Sequence, residues 1–276
     1  MLSKSYDMKK IFILLFIISI VKSTTAQDRY FARTYTSNIL PKDGIDLEFF
    51  HTSRMGHLNQ YYHGQDQRME LEIGLGRSWQ TAFYFNRYQE RFSVSDTGTQ
   101  TKNEIGFSNE WKWKVLSQNK SGIGMALYGE WGIKGGDELE LEMKVILDKW
   151  LGKNLFAFNA VTEFEKEFQW LGGKTNSAGY QMPVELDLAY MYSVKPQLGI
   201  GFEIVNRNGI SKDKGWEHSV FFGGPTLNYR GNGWFVIANY LPQWGNIHKT
   251  ESAPGNKVLD ELERRELRVV FGITLK

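Results

Sequence analysis

The sequence contains no cysteine. This absence excludes a disulfide framework, a thiolate metal site and a lipid-modified N-terminal cysteine. It is consistent with an oxidising compartment. Proline is also scarce, with six residues in 276, and no Pro- or Ser-rich linker divides the chain. The sequence therefore predicts one large domain rather than two.

A second absence is an apolar run long enough to cross a bilayer as a helix, which takes about 20 residues. The longest apolar run covers residues 11–21, follows Lys9 and Lys10, and is followed by the small residues 23–26. This order of basic, apolar and small residues predicts a secretory signal peptide over residues 1–26. Residues 27–43 lack a clean period and are expected in the periplasm or inside the domain formed by residues 44–276.

The sequence also lacks an excess of charge of one sign, with 33 basic and 31 acidic residues. Once residues 1–26 are removed, 29 basic and 30 acidic residues remain. A nucleic-acid partner would require a basic face, so none is expected.

What the sequence does contain is a repeated alternation of apolar and polar residues. In residues 266–276, five apolar side chains share one parity and so lie on one face of a strand; Val270 is the exception. A chain that ends on such a strand is expected to close its sheet. The same alternation predicts twelve strands, at 44–53, 67–75, 79–88, 106–115, 122–132, 138–147, 154–165, 183–192, 198–207, 219–229, 234–241 and 266–276. The tenth and eleventh are weaker, because they are apolar on both parities.

Charge follows the polar parity of these strands. Arg87 is the one charged residue on the apolar face, apart from the terminal Lys276. Charge facing lipid costs about 2–4 kcal/mol at the bilayer midplane, so the pattern predicts an all-β, antiparallel transmembrane barrel with a polar lumen. The predicted lumen-lining residues are Glu48, Glu70, Glu72, Glu110, Lys112, Lys114, Glu130, Glu138, Glu140, Glu142, Lys144, Glu163, Glu165, Glu185, Asp187, Glu203 and Arg268.

Connections and aromatic residues predict the orientation. Long and short connections alternate, as in bacterial barrels with outer loops and periplasmic turns, so both termini are expected in the periplasm and the polar stretch 172–179 outside. Tryptophan and tyrosine residues near strand ends predict two interfacial girdles. Trp150 is assigned to the girdle beside the turns, and Tyr88 to the one beside the long loops.

These features resemble the Gram-negative outer-membrane β-barrels, and in particular an uncharacterised family of secreted barrels. Three segments carry the resemblance: the opening at 32–41, the first strand at 46–49, and residues 224–229. The resemblance implies a place in the outer membrane among its lipids. It also implies insertion by the outer-membrane assembly machinery, for which Phe271 is the nearest aromatic to the end of the last strand.

Three functions are weighed. The acidic lumen favours a narrow pore or a transporter that binds a small polar or cationic solute; its carboxylates could instead pair with lumen bases in a non-conducting structural or recognition barrel. His51 and Ser53 have the spacing of a catalytic pair on the lipid-facing parity, as a lipid hydrolase would need. His57 and His63, near Asp66, are more simply loop surface than metal ligands. No cofactor and no metal site are predicted.

Overall fold

The computed structural model of the protein describes residues 29–58, 60–94, 98–136, 138–167 and 180–276. The predicted signal peptide and the stretch 172–179 lie outside these residues. No helix among the described residues is long and apolar enough to cross a membrane.

Twelve antiparallel strands form one closed barrel, in which each strand pairs with its neighbour in the chain and the last strand pairs with the first. The prediction of fold and strand number is confirmed. A single turn of helix, α1 (Gln118–Ser121), lies between β4 and β5. The strands are β1 (Ile45–Met55), β2 (Tyr62–Gly76), β3 (Trp79–Val94), β4 (Gly98–Leu116), β5 (Gly124–Lys134), β6 (Glu138–Leu151), β7 (Asn154–Glu167), β8 (Val184–Lys195), β9 (Leu198–Ser211), β10 (Gly215–Arg230), β11 (Trp234–Asn246) and β12 (Arg265–Thr274).

Several strands extend beyond their predicted bounds, mostly at the end beside the predicted outer loops. Residues 89–105 were expected as a loop, yet β3 and β4 stay paired from Trp79↔Trp113 to Val94↔Gly98. The extension of β3 and β4 is mostly polar and has only scattered apolar residues, such as Phe92 and Ile105, so it carries no alternation that a sequence pattern could detect. Strand length, more than loop length, distinguishes the two ends of the barrel.

The outer wall is apolar and aromatic. Phe85 and Met143 are more than half exposed in the middle of the wall, and Trp79 stacks on Trp113 near the short turns. Two aromatic assignments are wrong: Trp150 and Tyr88 face inwards. Both occupy the parity opposite to the outward residues of their strands. A position near the end of a strand does not determine which face the side chain takes.

Residues 29–43, which we call the plug segment, lie inside the barrel at the end beside the short turns. Phe31 and Ala32 have no exposed surface, and Tyr35 and Leu40 are also buried. Ala32 packs against Val270, which explains why that residue of β12 breaks the apolar alternation.

The connection between β11 and β12, residues 247–264, folds inward over the opposite end, and we call it the lid loop. Val258 and Ala253 pack on Val220, Phe222 and other inward side chains of β9 to β11. These inward apolar residues make β10 apolar on both parities, whereas the inward Phe235 and Ile237 of β11 pack with Ala32 of the plug segment. The sheet is therefore apolar on both faces there, because the lid loop and the plug segment cover its inner face.

Candidate functional site in the barrel lumen

The space between the plug segment and the outer rim is a cavity of about 510 Å³. Its rim includes Lys102, whose side chain is 60% exposed, and its depth reaches Glu266, whose side chain is 1% exposed. Arg29, Arg33 and Tyr35 of the plug segment line its inner end. The cavity is therefore accessible from the end beside the lid loop and is bounded by the plug segment at the other.

The predicted lumen residues fall into two groups, one that lines the cavity and one that lies deeper in the barrel. Those that line the cavity are Glu130, Glu138, Glu140, Glu142, Lys144, Glu163, Glu165, Glu185, Asp187 and Arg268. Those at the level of the plug segment or beside the turns are Glu48, Glu70, Glu72, Glu110, Lys112, Lys114 and Glu203, and all but Lys114 are buried. The structure thus separates residues that the sequence pattern had placed in one lumen.

The cavity lining carries fourteen acidic and nine basic side chains. The acidic excess is concentrated on β6 and β7, where the strand register sets Glu140 opposite Glu165 and Glu142 opposite Glu163. Like charges directly opposite each other destabilise a sheet unless cations lie between them. Two lysines supply part of the positive charge that these facing carboxylates need.

Lys134 reaches Glu138 and Glu140 at 3.4 and 3.5 Å, and Lys144 reaches Glu142 at 2.9 Å. No basic side chain of the described residues lies within ion-pair distance of Glu163 or Glu165. Asp187 also lines the cavity without an ion pair among the described residues, so the acidic excess is least compensated at these three carboxyl groups.

The opposite side of the cavity holds arginines in a closed network. Arg207 bonds to Glu263 of the lid loop at 2.6 Å and to Glu266 at 2.7 Å, while Arg33 of the plug segment bonds to Glu185 at 2.6 Å. Every one of these pairs joins different segments of the chain. The network fixes the plug segment and the lid loop against the wall, and it leaves the two sides of the cavity unequal in charge.

Two carboxylate groups are close enough to share an ion, namely Glu48, Glu70 and Glu72 near the turns and Glu138, Glu140 and Glu165 near the rim. The protein's own cations already contact both groups. Arg29 lies 2.8 Å from Glu48 and 3.6 Å from Glu70, and Lys134 contacts the rim group. Each group thus has one of the protein's own cations among its neighbours.

The histidine candidates are arranged differently from the prediction. The hydroxyl of Ser53 shares a hydrogen bond of 2.8 Å with Nε2 of His63, and none joins it to His51 among the described residues. His57 stacks on Tyr62 with ring centroids 3.7 Å apart, and burial lowers the pKa of His57. Among the described residues, His57, His63 and Asp66 are not brought together as a group of three possible ligands.

Sequence reasoning missed the lumen residues that are not charged or not on a strand. Asn159 and Gln80 occupy inward positions, but their side chains are uncharged amides, and the predicted lumen residues were all charged. Arg29 and Arg33 lie in a segment without a period, so no pattern assigned them a face. Their spacing of four residues was the one available signal.

A family model matches residues 23–275, and its description is a family of unknown function, DUF6662. The chain belongs to this family. No curated protein matches the sequence. The DUF6662 chain does resemble solved structures, among them an outer membrane channel and two autotransporter domains.

The COG4313 outer membrane channel from Pseudomonas putida F1 is 11% identical, with a TM-score of 0.60 over 85% of this chain and 96% of that one. The beta domain of the Bordetella autotransporter BrkA is 8% identical, with a TM-score of 0.58 over 84% and 100%. The translocator domain of NalP from Neisseria meningitidis is 10% identical, with a TM-score of 0.54 over 83% and 87%. At these identities the likeness establishes that this DUF6662 member has the outer-membrane barrel fold.

Proposed function

We propose that the protein lies in the bacterial outer membrane, with its termini in the periplasm, and that its outward-facing cavity binds small cationic solutes for uptake. The observation that carries this proposal is the pair Glu163 and Glu165, which face the cavity without a basic partner among the described residues. Carboxylates in a cavity of low dielectric attract a cation more strongly than they would in bulk water.

The plug segment favours a binding cavity over an open pore. Passage through the barrel requires the plug segment to shift, because Arg29, Arg33 and Tyr35 bound the cavity at its inner end. The resting barrel is therefore a receptor for its solute, and transport is a second, gated step.

Spermidine, a small trivalent cation, is a suitable probe for titration calorimetry on the detergent-solubilised barrel. Replacing Glu163 and Glu165 by Gln removes two negative charges, so we expect binding to weaken by about ten-fold. Raising the salt concentration should weaken wild-type binding, because ions screen the partly open cavity. The matched control replaces two exposed acids of the lid loop, Glu251→Gln and Asp260→Asn, and should bind as the wild type does.

Equal binding by both variants would refute the assignment of the site to β7. Preferential binding of an anion of similar size would refute the cationic solute class altogether.

A second candidate function, lipid hydrolysis, is favoured by one observation. Ser53 and His63 hydrogen-bond on the outward parity of β1 and β2 near the rim, where a nucleophile and its base could act on lipid. No carboxylate or amide of the described residues bonds to Nδ1 of His63, so the pair is a dyad. A fluorophosphonate should label Ser53 and fail to label Ser53→Ala; equal labelling of both, or none, removes this candidate.

A further inference from the structure

The plug segment is held through its main chain. Nine backbone atoms of residues 29–40 hydrogen-bond to six side chains of the barrel. Those side chains are Gln80, Asp148, Asn159, Glu203, Asn228 and Arg230. They belong to β3, β6, β7, β9 and β10, on several sides of the barrel interior, and we call these six side chains the track.

Glu203 and Asn159 make the most complete contacts of this track. The carboxylate of Glu203 accepts hydrogen bonds from three successive backbone N–H groups, those of Ala32, Arg33 and Thr34, at 2.9–3.3 Å. Asn159 accepts from the N–H of Tyr35 at 2.7 Å and donates to the carbonyl of the same residue at 3.0 Å. A neighbouring β-strand would make the same pair of hydrogen bonds to the backbone of one residue.

The barrel wall has space shaped for this chain. A Cβ on Gly124 would lie 2.2 Å from the hydroxyl of Ser37, and one on Gly74 would lie 1.9 Å from the carbonyl oxygen of Pro41. Both approaches are possible only because these wall positions are glycine. The wall and the plug segment are therefore complementary in shape as well as in hydrogen bonding.

Two arginines of the plug segment add a requirement for charge. Arg29 bonds to Glu48 at 2.8 Å and Arg33 bonds to Glu185 at 2.6 Å. Guanidinium pairs with carboxylates in a fixed geometry, and burying them unpaired would be unfavourable. The track therefore accepts a chain with positive charge at these two places.

We propose that the barrel lumen is a binding site for a basic polypeptide segment, and that residues 29–41 occupy it as a ligand in cis. Main-chain bonds recognise a chain that can adopt the bends of residues 31–34 and 37, while the glutamates select arginine at a spacing of four. A basic segment of another protein could then displace the plug segment from the same track. This inference does not depend on solute binding in the outer cavity.

The test uses the full-length folded protein, which a protease cleaves at one inserted site. A recognition sequence for a specific protease is inserted after residue 42, in the exposed last residues of the plug segment, and Lys42→Cys carries a fluorophore. Because the chain has no other cysteine, the label sits at one position. After cleavage of the folded, detergent-solubilised barrel, fluorescence anisotropy reports whether the labelled fragment stays bound while unlabelled peptides are added.

We expect the fragment to remain bound and to exchange with an unlabelled peptide of residues 29–42. A peptide with N-methyl groups at Arg33 and Tyr35 should compete about ten-fold less well, since it has lost two donors. A peptide with Arg29→Gln and Arg33→Gln should also compete less well. A peptide with Asn38→Ala should lose less of its ability to compete.

Two results would overturn the proposal. Release of the fragment on cleavage, with no rebinding of the free peptide, would mean that the contacts hold only within an intact chain. Equal competition by the N-methylated and unmodified peptides would mean that the main chain is not what the lumen recognises.

Discussion

Gly124 of the barrel wall lies against a side chain of the plug segment, because a Cβ at this position would be 2.2 Å from the hydroxyl of Ser37. A methyl group there would also lie 2.7 Å from the carboxylate of Asp148, which accepts the N–H of Ser37. We expect Gly124→Ala to destabilise the folded barrel by about 1–3 kcal/mol, because an overpacked core displaces its neighbours. The measurement is the denaturant concentration at which the compact form, identified by faster gel migration without boiling, disappears.

Gly129→Ala is the matched control on the same strand. A Cβ at that position meets no atom closer than 4.0 Å. The control should therefore keep the wild-type midpoint or raise it slightly, as alanine restricts the unfolded chain. If the two variants behaved alike, the close approach at Gly124 would have no energetic consequence.

At the scale of single residues, parity predicts which face a side chain takes but not what it meets there. Val270 is apolar on the inward parity, and its partner Ala32 belongs to a segment without any period. Trp150 likewise packs edge-on against Tyr30, with ring centroids 5.2 Å apart. Inward apolar residues were the signal that something fills the lumen, although the pattern could not identify what fills it.

At the scale of elements, Gln243 of β11 makes three of the hydrogen bonds that hold the lid loop. Gln243 donates to the carbonyls of Val258 and Glu263, each at 3.1 Å, and accepts the N–H of Val258 at 2.9 Å. We expect Gln243→Leu to loosen the lid loop while the barrel stays folded, because no strand pairing uses this side chain. Hydrogen exchange should become faster in the amides of residues 253–263.

The result that would contradict this account is faster exchange spread over β10, β11 and β12 alike. Gln243 would then support the sheet itself. Unchanged exchange in the lid loop would mean that the apolar contacts of Val258 and Ala253 hold it without the glutamine. Gln65→Leu, on the outward parity of β2, is a suitable control for the loss of an amide.

At the scale of the whole molecule, the barrel could be predicted from the sequence, but the segments that fill it could not. Each membrane strand alternates because lipid and lumen impose opposite demands on successive residues, and twelve such strands could be counted. The plug segment and lid loop meet protein on several sides, so neither has a period to detect. The charge of the cavity wall was predictable, whereas its division by the plug segment was not.

Orientation also belongs to this scale, and the cysteine-free chain allows a direct measurement. Lys257 is exposed in the lid loop, and Asn232 is exposed in the short turn between β10 and β11. If the lid loop faces outward, Lys257→Cys should react with a membrane-impermeant thiol reagent on intact cells. Asn232→Cys should react only after the outer membrane has been permeabilised. The reverse pattern would put the cavity on the periplasmic side, and the solute that we propose would then be one leaving the cell.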